Sequence, residues 1–587
     1  MVTEVTLQEL LEKEEQLTKN AKESRELSAK LVKACSCISK MANSGDKIKI
    51  ITDYDADGIC SAYIMQHIIE GLNSDADLEV ICNDRRGSYG VPKDLKKEDG
   101  CKYIICDMGS NEIDYILDTF GNDTVVFDHH LIENDDDLYL FKTASSLLNP
   151  KALEKDGKYA DYCATGLAFR AYRCLEHIPN LNFVHDEKTD NTIMAIACIG
   201  TIGDMVDLMD ENSYNRKIVK EGLNVINNAT NDNFDYVVGN FLSQCGLQEG
   251  IDIYAADISF KVVPVINAGG RTSDDIKQNG AQLVYNAISQ KDALAASWNI
   301  NDCISFNQMR KERVKEMQEA PEYEEAILAS KDNDNGLLLY CLKENTPTAY
   351  AGLIAGKLAD ETGKAVLAVT YNSDKGCYVG SGRNSSNNKT SLKEFVDMLA
   401  TNIDGFEYGG HNEAIGISKL TKEAYIELEN AIKEHGNEME RVENRTVLKI
   451  SPSDILSNDT LEKLKRLEPT GNGWKIPPIE FKGREVYRNK LFIAKNPKWK
   501  KVKIDIDGNK NYALITDWNY TQENYPRFSD SNTIKVLADI AVNSYSSSNG
   551  VVEEIKLTAR HDEAFQQEYL KEIEIDSVNK AEKEHTL

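Results

Sequence analysis

The chain has 587 residues, of which 41% are hydrophobic and 28% are charged, and its formal net charge is −28. A chain of this length predicts about three or four domains, because single domains commonly hold about 150 residues. The composition is that of an ordinary soluble globular protein. The acidic balance excludes a protein coated with basic surface for indiscriminate nucleic-acid binding, but it is compatible with a local basic channel.

The 13 cysteines are odd in number and scattered, and no CxxC pair occurs among them. This pattern fits neither a disulfide framework nor a zinc site, so we expect reduced thiols in a cytoplasmic compartment. The N-terminus opens into a charged helical pattern, and no apolar run approaches the ~18 residues of a membrane span. We therefore expect no signal peptide and no membrane association.

Residues 1–45 are predicted to form one or two helices, because leucines recur there at spacings of three and four among Glu and Lys. Packing is the expected role of this segment. From Ile48 to about Leu208, apolar strands alternate with helical stretches, which predicts a mostly parallel α/β sheet. Its first strand, Ile48–Ile51, runs into an acidic turn and then into an apolar-periodic helix.

Three strands of this predicted sheet end in residues that could bind a metal ion. Open α/β sheets place their ligands at the carboxyl ends of strands, so we expect these side chains to converge on one pocket. Clustered carboxylates need a counter-ion, and hard oxygen ligands with a few imidazoles favour Mn²⁺ or Mg²⁺ over zinc. The candidates are Asp53, Asp55 and Asp57 after one strand, Asp107 after another, His129 and His130 after a third, and Asp204 after a later helix.

Each candidate also has an ordinary structural interpretation when it is taken alone. The DxDxDG sequence could be an acidic, solvated turn. Asp107 could cap the next helix, Asp204 could lie in a surface turn, and His130 could be a hydrogen-bonded partner rather than a ligand. The recurrence of such residues at the ends of three strands favours the metal site.

The chain from about 209 to 335 is mostly helical in pattern, and residues 301–335 are predicted to form a long exposed linker helix. Arg271, four residues after Asn267, is a candidate phosphate clamp, since a guanidinium matches phosphate bidentately. A structural ion pair is the alternative role for Arg271.

A second α/β unit is predicted over 336–440, and it carries two glycine-rich loops, Gly380–Arg383 and Gly409–His411. Glycines let backbone N–H groups approach an anion, and Arg383 and His411 add charge and hydrogen-bond donors. The first loop alone could be an ordinary turn, but the two together favour a substrate-binding role.

Residues 441–562 change to a strand-rich pattern with polar turns, which predicts a small β-barrel, and residues 563–587 form a charged tail. Lys498, Trp499, Lys500 and Lys501 combine positive charge with an aromatic ring, as in proteins that bind single strands. The alternative is an ordinary barrel with a solvated lysine loop.

Four motifs in this order resemble those of the DHH phosphoesterase superfamily, which takes its name from the sequence Asp-His-His. They are Asp53–Gly58, the element at Asp107, Asp128–His130 and Gly200–Leu208. Further motifs resemble the RecJ branch of this superfamily, the single-strand-specific exonucleases, and they lie at Arg85–Gly90, Leu148–Pro150, Val263–Arg271 and Glu468–Asn472. The resemblance extends from about residue 45 to residue 560.

The resemblance implies an α/β fold in three parts. A parallel-sheet DHH domain is expected over 46–300, and the long helix joins it to a second α/β domain, the DHH-associated domain, over 336–440. An OB-fold-like β-barrel that guides single-stranded DNA is expected over 441–562.

The resemblance also implies a centre with two divalent metal ions, Mn²⁺ or Mg²⁺. Asp55 and Asp107 would hold one ion with help from Asp53, and the second ion would be held by Asp57, Asp107, His129 and Asp204. His130 and Arg271 would join Asp107 as catalytic residues, with His130 contacting the scissile phosphate or orienting the ligands beside it. Substrate binding is expected of Arg85, Tyr89, Asn267, Arg271, Ser381, Arg383, Gly409, Gly410 and His411.

Two positions depart from the family pattern. Ile51 stands where many relatives outside the RecJ branch have a histidine, which leaves the first ion dependent on Asp53 or water. Gly269 stands where the family usually has alanine.

The resemblance implies a 5′-to-3′ exonuclease of single-stranded DNA that acts in repair or recombination, as a monomer and with a possible protein partner in a repair or replication complex. One alternative is a phosphodiesterase of short oligoribonucleotides or cyclic dinucleotides, which would not need the extended lysine and aromatic track. The other is a catalytically silent nucleic-acid-binding protein, which would have no reason to keep mutually repelling carboxylates.

Overall fold

The structure is a computed structural model. It describes residues 2–86, 90–155, 157–331, 333–442, 445–451, 453–485, 500–505, 512–517, 525–528, 533–547, 550–560 and 563–585. Within these ranges, no helix combines the length and the apolar character that crossing a membrane requires.

The chain begins with a short strand and two helices, and then enters a five-stranded sheet. The predicted parallel α/β sheet is confirmed, since every strand pair in it is parallel. These elements are β1 (Val2–Val5), α1 (Leu7–Asn20), α2 (Arg25–Ala42), β2 (Lys47–Thr52), α3 (Ala56–Leu72), β3 (Leu78–Cys82), β4 (Cys101–Cys106), α4 (Ile113–Phe120), β5 (Val125–Phe127), α5 (Asp135–Thr143) and β6 (Leu147–Leu148).

The strand order β3-β2-β4-β5-β6 places β2, β4 and β5 side by side. Their last residues are in register, because Thr52 pairs with Cys106 and Cys106 pairs with Phe127. The next residue of each strand therefore leaves the sheet at the same edge. The sheet is covered on both faces, as parallel sheets require.

A helical region follows the sheet and packs against it. Its elements are α6 (Ala164–Leu175), α7 (Glu187–Gly203), α8 (Asn215–Asn227), α9 (Tyr236–Gln244), α10 (Ala255–Asp257), α11 (Val263–Ile276), α12 (Gly280–Ser289), α13 (Ala293–Gln318) and α14 (Pro321–Lys331). The predicted linker helix over 301–335 is in fact two helices, because α13 ends before Pro321 starts α14. Proline is tolerated in the first turn of a helix but not in its interior.

The second α/β unit has a mixed sheet in the order β10-β11-β9-β8-β7. Only β7 and β8 pair in parallel, and the remaining pairs are antiparallel. The elements are β7 (Leu337–Leu342), α15 (Ala351–Thr362), β8 (Ala365–Asn372), β9 (Cys377–Arg383), α16 (Leu392–Ala400), β10 (Phe406–His411), β11 (Ala414–Leu420) and α17 (Lys422–His435).

The C-terminal part is rich in strands, as predicted. Five of them pair in a closed ring in the order β13-β14-β15-β17-β16, whereas β12 pairs with the N-terminal β1. The OB-fold assignment stays a prediction. The elements are β12 (Arg445–Leu448), α18 (Asn458–Leu467), β13 (Ile479–Glu485), β14 (Lys500–Asp505), β15 (Tyr512–Asp517), β16 (Thr533–Ser547), β17 (Gly550–Ala559) and α19 (Glu563–His585).

Buried apolar side chains show how these parts associate. One continuous core joins the N-terminal helices, one face of the first sheet, the helical region and the interior of the C-terminal ring. The second sheet has separate cores of its own. The first domain and the C-terminal ring therefore pack as one body, and the second α/β unit is attached to it.

Candidate metal centre and adjoining cleft

The acidic turn after β2 is held by hydrogen bonds between a side-chain carboxylate of the turn and the backbone N–H groups that follow it. Asp55 caps α3, and its carboxylate accepts hydrogen bonds from the backbone N–H groups of Asp57 (3.0 Å) and Gly58 (3.2 Å). A Cβ at Gly58 would lie 2.5 Å from the carbonyl oxygen of Asp53, so the turn requires glycine at this position. The turn brings three carboxylates to the sheet edge.

Asp57 is tied to a second helix. Its carboxylate accepts hydrogen bonds from the backbone N–H groups of Ala164 (2.8 Å) and Thr165 (2.7 Å), at the start of α6. The first turn of a helix favours a negative charge because its N–H groups have no partner within the helix. The position of Asp57 is thus fixed by α3, in which it lies, and by the start of α6, which binds its carboxylate.

Asp107 follows β4 in a backbone conformation that non-glycine residues rarely adopt, with φ of +60°. Its backbone N–H donates to the carbonyl oxygen of Phe127 in the neighbouring strand (2.9 Å). Such outliers cluster at functional sites, where the surroundings hold them. The side chain is buried beside the acidic turn.

His129 lies among carboxylates from three segments. Its Nε2 is 3.3 Å from Asp107 Oδ1 and 3.6 Å from Asp57 Oδ2, and its Nδ1 is 3.7 Å from Asp204 Oδ2. The ligand atoms of Asp57, His129 and Asp204 lie within 4.8 Å of one another, as do those of Asp53, Asp55 and Asp107. All six predicted ligands thus meet at one edge, in two adjacent groups that His129 and Asp107 link. Their role as ligands stays a prediction.

The pKa values of this edge reflect its crowding. Burial and the neighbouring Asp55 raise the pKa of Asp53 to about 7. Burial and neighbouring carboxylates also raise the pKa values of Asp57, Asp107 and Asp204. Burial lowers the pKa of His129, which stays neutral as a metal ligand must. Oxygen donors with one imidazole and no thiolate suit Mn²⁺ or Mg²⁺.

Asp128 organises the histidines. Its fully buried carboxylate accepts hydrogen bonds from the Ser110 backbone N–H (2.8 Å) and hydroxyl (2.5 Å), from the His129 N–H (2.7 Å) and from His130 Nδ1 (2.8 Å). Burial acts to raise the pKa of Asp128, but His130, His129 and the Ser110 hydroxyl together outweigh burial and lower it. Conversely, Asp128, with Asp204 and Asp53, outweighs the burial of His130 and raises the pKa of that imidazole to about 9. His130 is therefore a cation at neutral pH.

A cationic wall lies beside the acidic edge, and it consists of Arg85, Arg271, Arg310 and Arg383. Burial and the charges of Arg85, Arg310 and Arg383 lower the pKa of Arg271 to about 9. Asp55 acts in the opposite direction and raises this pKa, but burial and the three arginines outweigh it. A phosphate group would relieve the repulsion within this wall.

The residues of α11 fit closely against the acidic turn. Asn267 Oδ1 accepts a hydrogen bond from the backbone N–H of Ala56 (2.8 Å), at the start of α3. A Cβ at Gly270 would lie 3.2 Å from Tyr54, and the guanidinium of Arg85 stacks on the Tyr54 ring at 4.9 Å. Asn267 therefore braces the turn, and its predicted contact with substrate stays a prediction.

The second α/β unit reaches this cleft through its two glycine-rich segments. Arg383 donates hydrogen bonds from Nη1 to the hydroxyl of Ser381 and to the carbonyl oxygen of Gly382, both at 2.7 Å. The His411 ring stacks on His130, with the ring centroids 6.1 Å apart. Burial, Lys151 and His130 lower the pKa of His411 to about 4.

Gly409 and Gly410 precede His411 in β10. A Cβ at Gly410 would lie 2.4 Å from the carbonyl oxygen of Ala414, and its φ is +138°. Of the remaining predicted residues, Tyr89, Lys498 and Trp499 lie outside the described residues. Lys500 and Lys501 begin β14.

Three residues of the site carried no predicted role. Asp128 was seen only as part of the Asp-His-His motif. Lys151, whose Nζ donates to the carbonyl oxygen of His129, directly follows the Leu148–Pro150 motif, which could have indicated it. Arg310 lies in the predicted linker helix, and nothing in its sequence surroundings marks it.

Two family models and several known proteins match this chain. The model of the DHH family, N-terminal domain, matches residues 47–201, and the model of the DHHA1 domain matches residues 333–436. The single-stranded-DNA-specific exonuclease RecJ of Bacillus subtilis is 26% identical over 399 residues, which are 65% of this chain and 44% of that protein. The corresponding RecJ of Escherichia coli is 23% identical over 402 residues, 66% of each chain. This chain therefore spans less than half of the Bacillus relative.

Solved structures give the same fold. RecJ from Thermus thermophilus in complex with Mn²⁺ aligns with a TM-score of 0.68 at 20% identity, over 91% of this chain and 72% of that one. The same protein in complex with Mg²⁺ aligns with a TM-score of 0.64 at 19% identity, over 91% and 70%. The predicted resemblance to the DHH superfamily and to its RecJ branch is confirmed.

Proposed function

We propose that this chain, which resembles the RecJ branch of the DHH superfamily, is a metal-dependent exonuclease of single-stranded DNA. One observation carries the proposal: five carboxylates and a neutral imidazole meet at one sheet edge beside four arginines. The carboxylates of the edge can bind metal cations, and the arginines of the wall can bind a phosphate. Together these two functions fit the hydrolysis of a phosphodiester. The relatives described as single-stranded-DNA-specific exonucleases support this choice of substrate, and the resemblance supports 5′-to-3′ polarity.

We assign the two groups of ligands to two Mn²⁺ or Mg²⁺ ions. Asp53, Asp55 and Asp107 would hold one ion, and Asp57, His129 and Asp204 would hold the other, with Asp107 between them. When bound, such ions supply an activated water and neutralise charge that develops on the phosphate. The solved structures of a relative with Mn²⁺ and with Mg²⁺ support the choice of these metals.

The protein's own residues hold the phosphate in place. His130 is kept protonated by Asp128 and can donate a hydrogen bond to a phosphate oxygen. Arg271 offers a bidentate contact, and Arg85, Arg310 and Arg383 add positive charge around it. His411 lies over His130 from the second domain, so the substrate end would be gripped between the two domains.

The rest of the chain extends this assignment. We propose a DHH domain over 46–300, a DHH-associated substrate-binding domain over 336–440 and an OB-fold-like barrel over 441–562 that guides the strand. The closed ring of five strands supports the barrel. The 13 free cysteines support a cytoplasmic location. We place the protein in DNA repair or recombination, as a monomer that acts on single-stranded DNA.

The proposal is tested with a long single strand that is labelled at one end or the other. We expect the native chain to remove nucleotides from the 5′ end in Mn²⁺, and we expect both EDTA and Asp107→Ala to abolish this activity. The matched control is Asp123→Ala, because Asp123 lies at the opposite edge of the same sheet and pairs with Lys102 at the surface.

Two results would contradict the proposal in different ways. If long strands survive while dinucleotides are cleaved, the protein is a phosphodiesterase of small substrates. If neither substrate is cut although single strands are bound, the protein is a binding protein.

A further inference from the structure

The turn after Asp204 is contacted by a loop from the C-terminal part of the chain. Asp204 directly follows α7 and caps it, since its backbone N–H donates to the carbonyl oxygen of Gly200 (3.0 Å), and the chain then turns through residues 205–208. Residues 469–474, which follow α18, lie against this turn, and we call them the bracing loop. A proposed metal ligand is thus next to a contact between distant parts of the chain.

Asn472 of the bracing loop makes two hydrogen bonds to this turn. Its side-chain Nδ2 donates to the carbonyl oxygen of Met205 (2.6 Å), and its own carbonyl oxygen accepts from the backbone N–H of Leu208 (3.1 Å). One residue therefore fixes both ends of the turn that begins next to Asp204.

Met205 shows why the turn needs this support. Its φ is +59°, a left-handed conformation that is unfavourable for a side chain of this kind. The side chain is 65% exposed, so packing contributes little to holding it. The hydrogen bond from Asn472 restrains the residue directly after Asp204, and hence the direction of the Asp204 carboxylate.

The bracing loop is itself firmly held. The guanidinium of Arg216, which lies in α8, donates to the carbonyl oxygens of Leu467 (2.9 Å) and Pro469 (2.7 Å). The indole N–H of Trp474 donates to the carbonyl oxygen of Leu467 as well (2.8 Å). A Cβ at Gly473, whose φ is +70°, would lie 1.6 Å from Asp207 Oδ1, so only glycine allows the approach. The loop can therefore act as a fixed support.

We propose that Asn472 is a positioning residue for the metal centre, and that the C-terminal part of the chain thereby sets the affinity of the ion held by Asp204. This inference rests on the proposed metal-dependent function. Residues that orient metal ligands from outside typically change metal affinity by about 10- to 100-fold. Because Asn472 acts on one ligand of several, we expect an effect near the lower end of this range.

The test is calorimetric titration of the full, metal-free chain with Mn²⁺, for the native protein and for Asn472→Ala. We expect the ion held by Asp204 to bind about 10-fold more weakly in the variant, while the other ion binds as before. We expect Asn472→Gln to recover part of the loss. The matched control is Asn543→Ala, a half-buried asparagine of β16 whose amide reaches only Glu554 among the contacts of the described residues.

Other outcomes decide against the inference. Equal affinities in the native chain and in Asn472→Ala would overturn it, and so would a weakening of both ions together with a lower melting temperature without metal, since that shows general loosening. A native chain that binds no Mn²⁺ would overturn the proposed function itself.

A second pair of variants covers the case in which Asn472→Ala does not fold. Gly473→Ala and Gly550→Ala each replace a glycine of positive φ, but only the first faces Asp207, whereas nothing lies within 4 Å of a Cβ at Gly550. Weaker Mn²⁺ binding by Gly473→Ala alone supports the inference, and equal binding by both variants contradicts it.

Discussion

The acidic edge and the arginine wall have opposite charge and different construction. The edge comes from three neighbouring strands whose ends are in register, with Asp204 added from the end of α7. The wall is collected from four separate places: the loop after β3, helices α11 and α13, and strand β9 of the second domain. Each region holds like charges that repel one another, and a ligand of the opposite charge would reduce that repulsion.

This difference indicates how the two domains cooperate. The acidic edge is complete within the first domain, whereas the wall includes Arg383 and its neighbourhood includes His411, which the second domain supplies. We therefore expect metal binding to depend on the first domain and its C-terminal brace, and the grip on phosphate to depend on the contact between domains.

The largest expected effect comes from removing the carboxylate that links the two ligand groups. Asp107→Asn should reduce the proposed exonuclease activity by about 10³-fold or more, a loss comparable to that of a key electrostatic group. The same variant should raise the melting temperature of the metal-free protein, because it removes one of several repelling buried carboxylates. Asparagine tolerates the positive φ of this position.

Thermal unfolding in EDTA measures the second effect, with Asp123→Asn as the control at the opposite edge of the sheet. If Asp107→Asn lowers the melting temperature of the metal-free protein, repulsion between carboxylates does not destabilise this edge.

A substitution in the arginine wall should reduce activity less than the loss of Asp107, because four cations contribute to binding the phosphate. Arg271→Lys keeps the charge but loses the planar fork, and we expect kcat/KM to fall by about 10- to 100-fold, as for the loss of a charge-assisted hydrogen bond. Kinetics on a labelled single strand measure this loss, and Mn²⁺ affinity should not change.

Arg313→Lys is the matched control, because Arg313 is half-exposed on α13 and pairs with Asp275 and Glu316. Equal activity of the two variants would show that Arg271 does not contact the phosphate.

The pH dependence should give a smaller and more gradual effect. The pKa of Asp53 is raised to about 7, so in the metal-free protein this group contributes stability below its ordinary pKa of about 4 and loses that contribution as pH rises through about 7. Because Mn²⁺ needs the ionised carboxylate, the Mn²⁺ concentration for half-maximal binding should rise as pH falls below about 7.

His130 provides the matching test on the alkaline side. Its pKa is about 9 because of Asp128, so activity should decline as pH rises through about 9. Asp128→Asn should move this decline to lower pH. A profile of kcat/KM against pH for both proteins checks the shift, and an unchanged alkaline limb would exclude a role for protonated His130.

Local sequence patterns identified much of the acidic edge. The apolar run before Asp53 and the strands before Asp107 and His129 could be recognised by their composition, and parallel pairing requires their ends to share an edge. The prediction of a single linker helix was wrong because it followed the spacing of apolar residues and did not take account of Pro321, which ends one helix and starts the next.

The sequence by itself determined the alternation of strands and helices in the first sheet, the acidic turns and the glycine-rich segments, because these depend on alternation, propensity and backbone freedom within short stretches. Only the tertiary structure decided the left-handed conformation of Asp107, the clustering of Arg310 with Arg271, and the contact of Asn472 with the turn after Asp204. These features join residues that are tens to hundreds of positions apart, or need a neighbouring strand to hold them, and no short stretch of the chain carries that information.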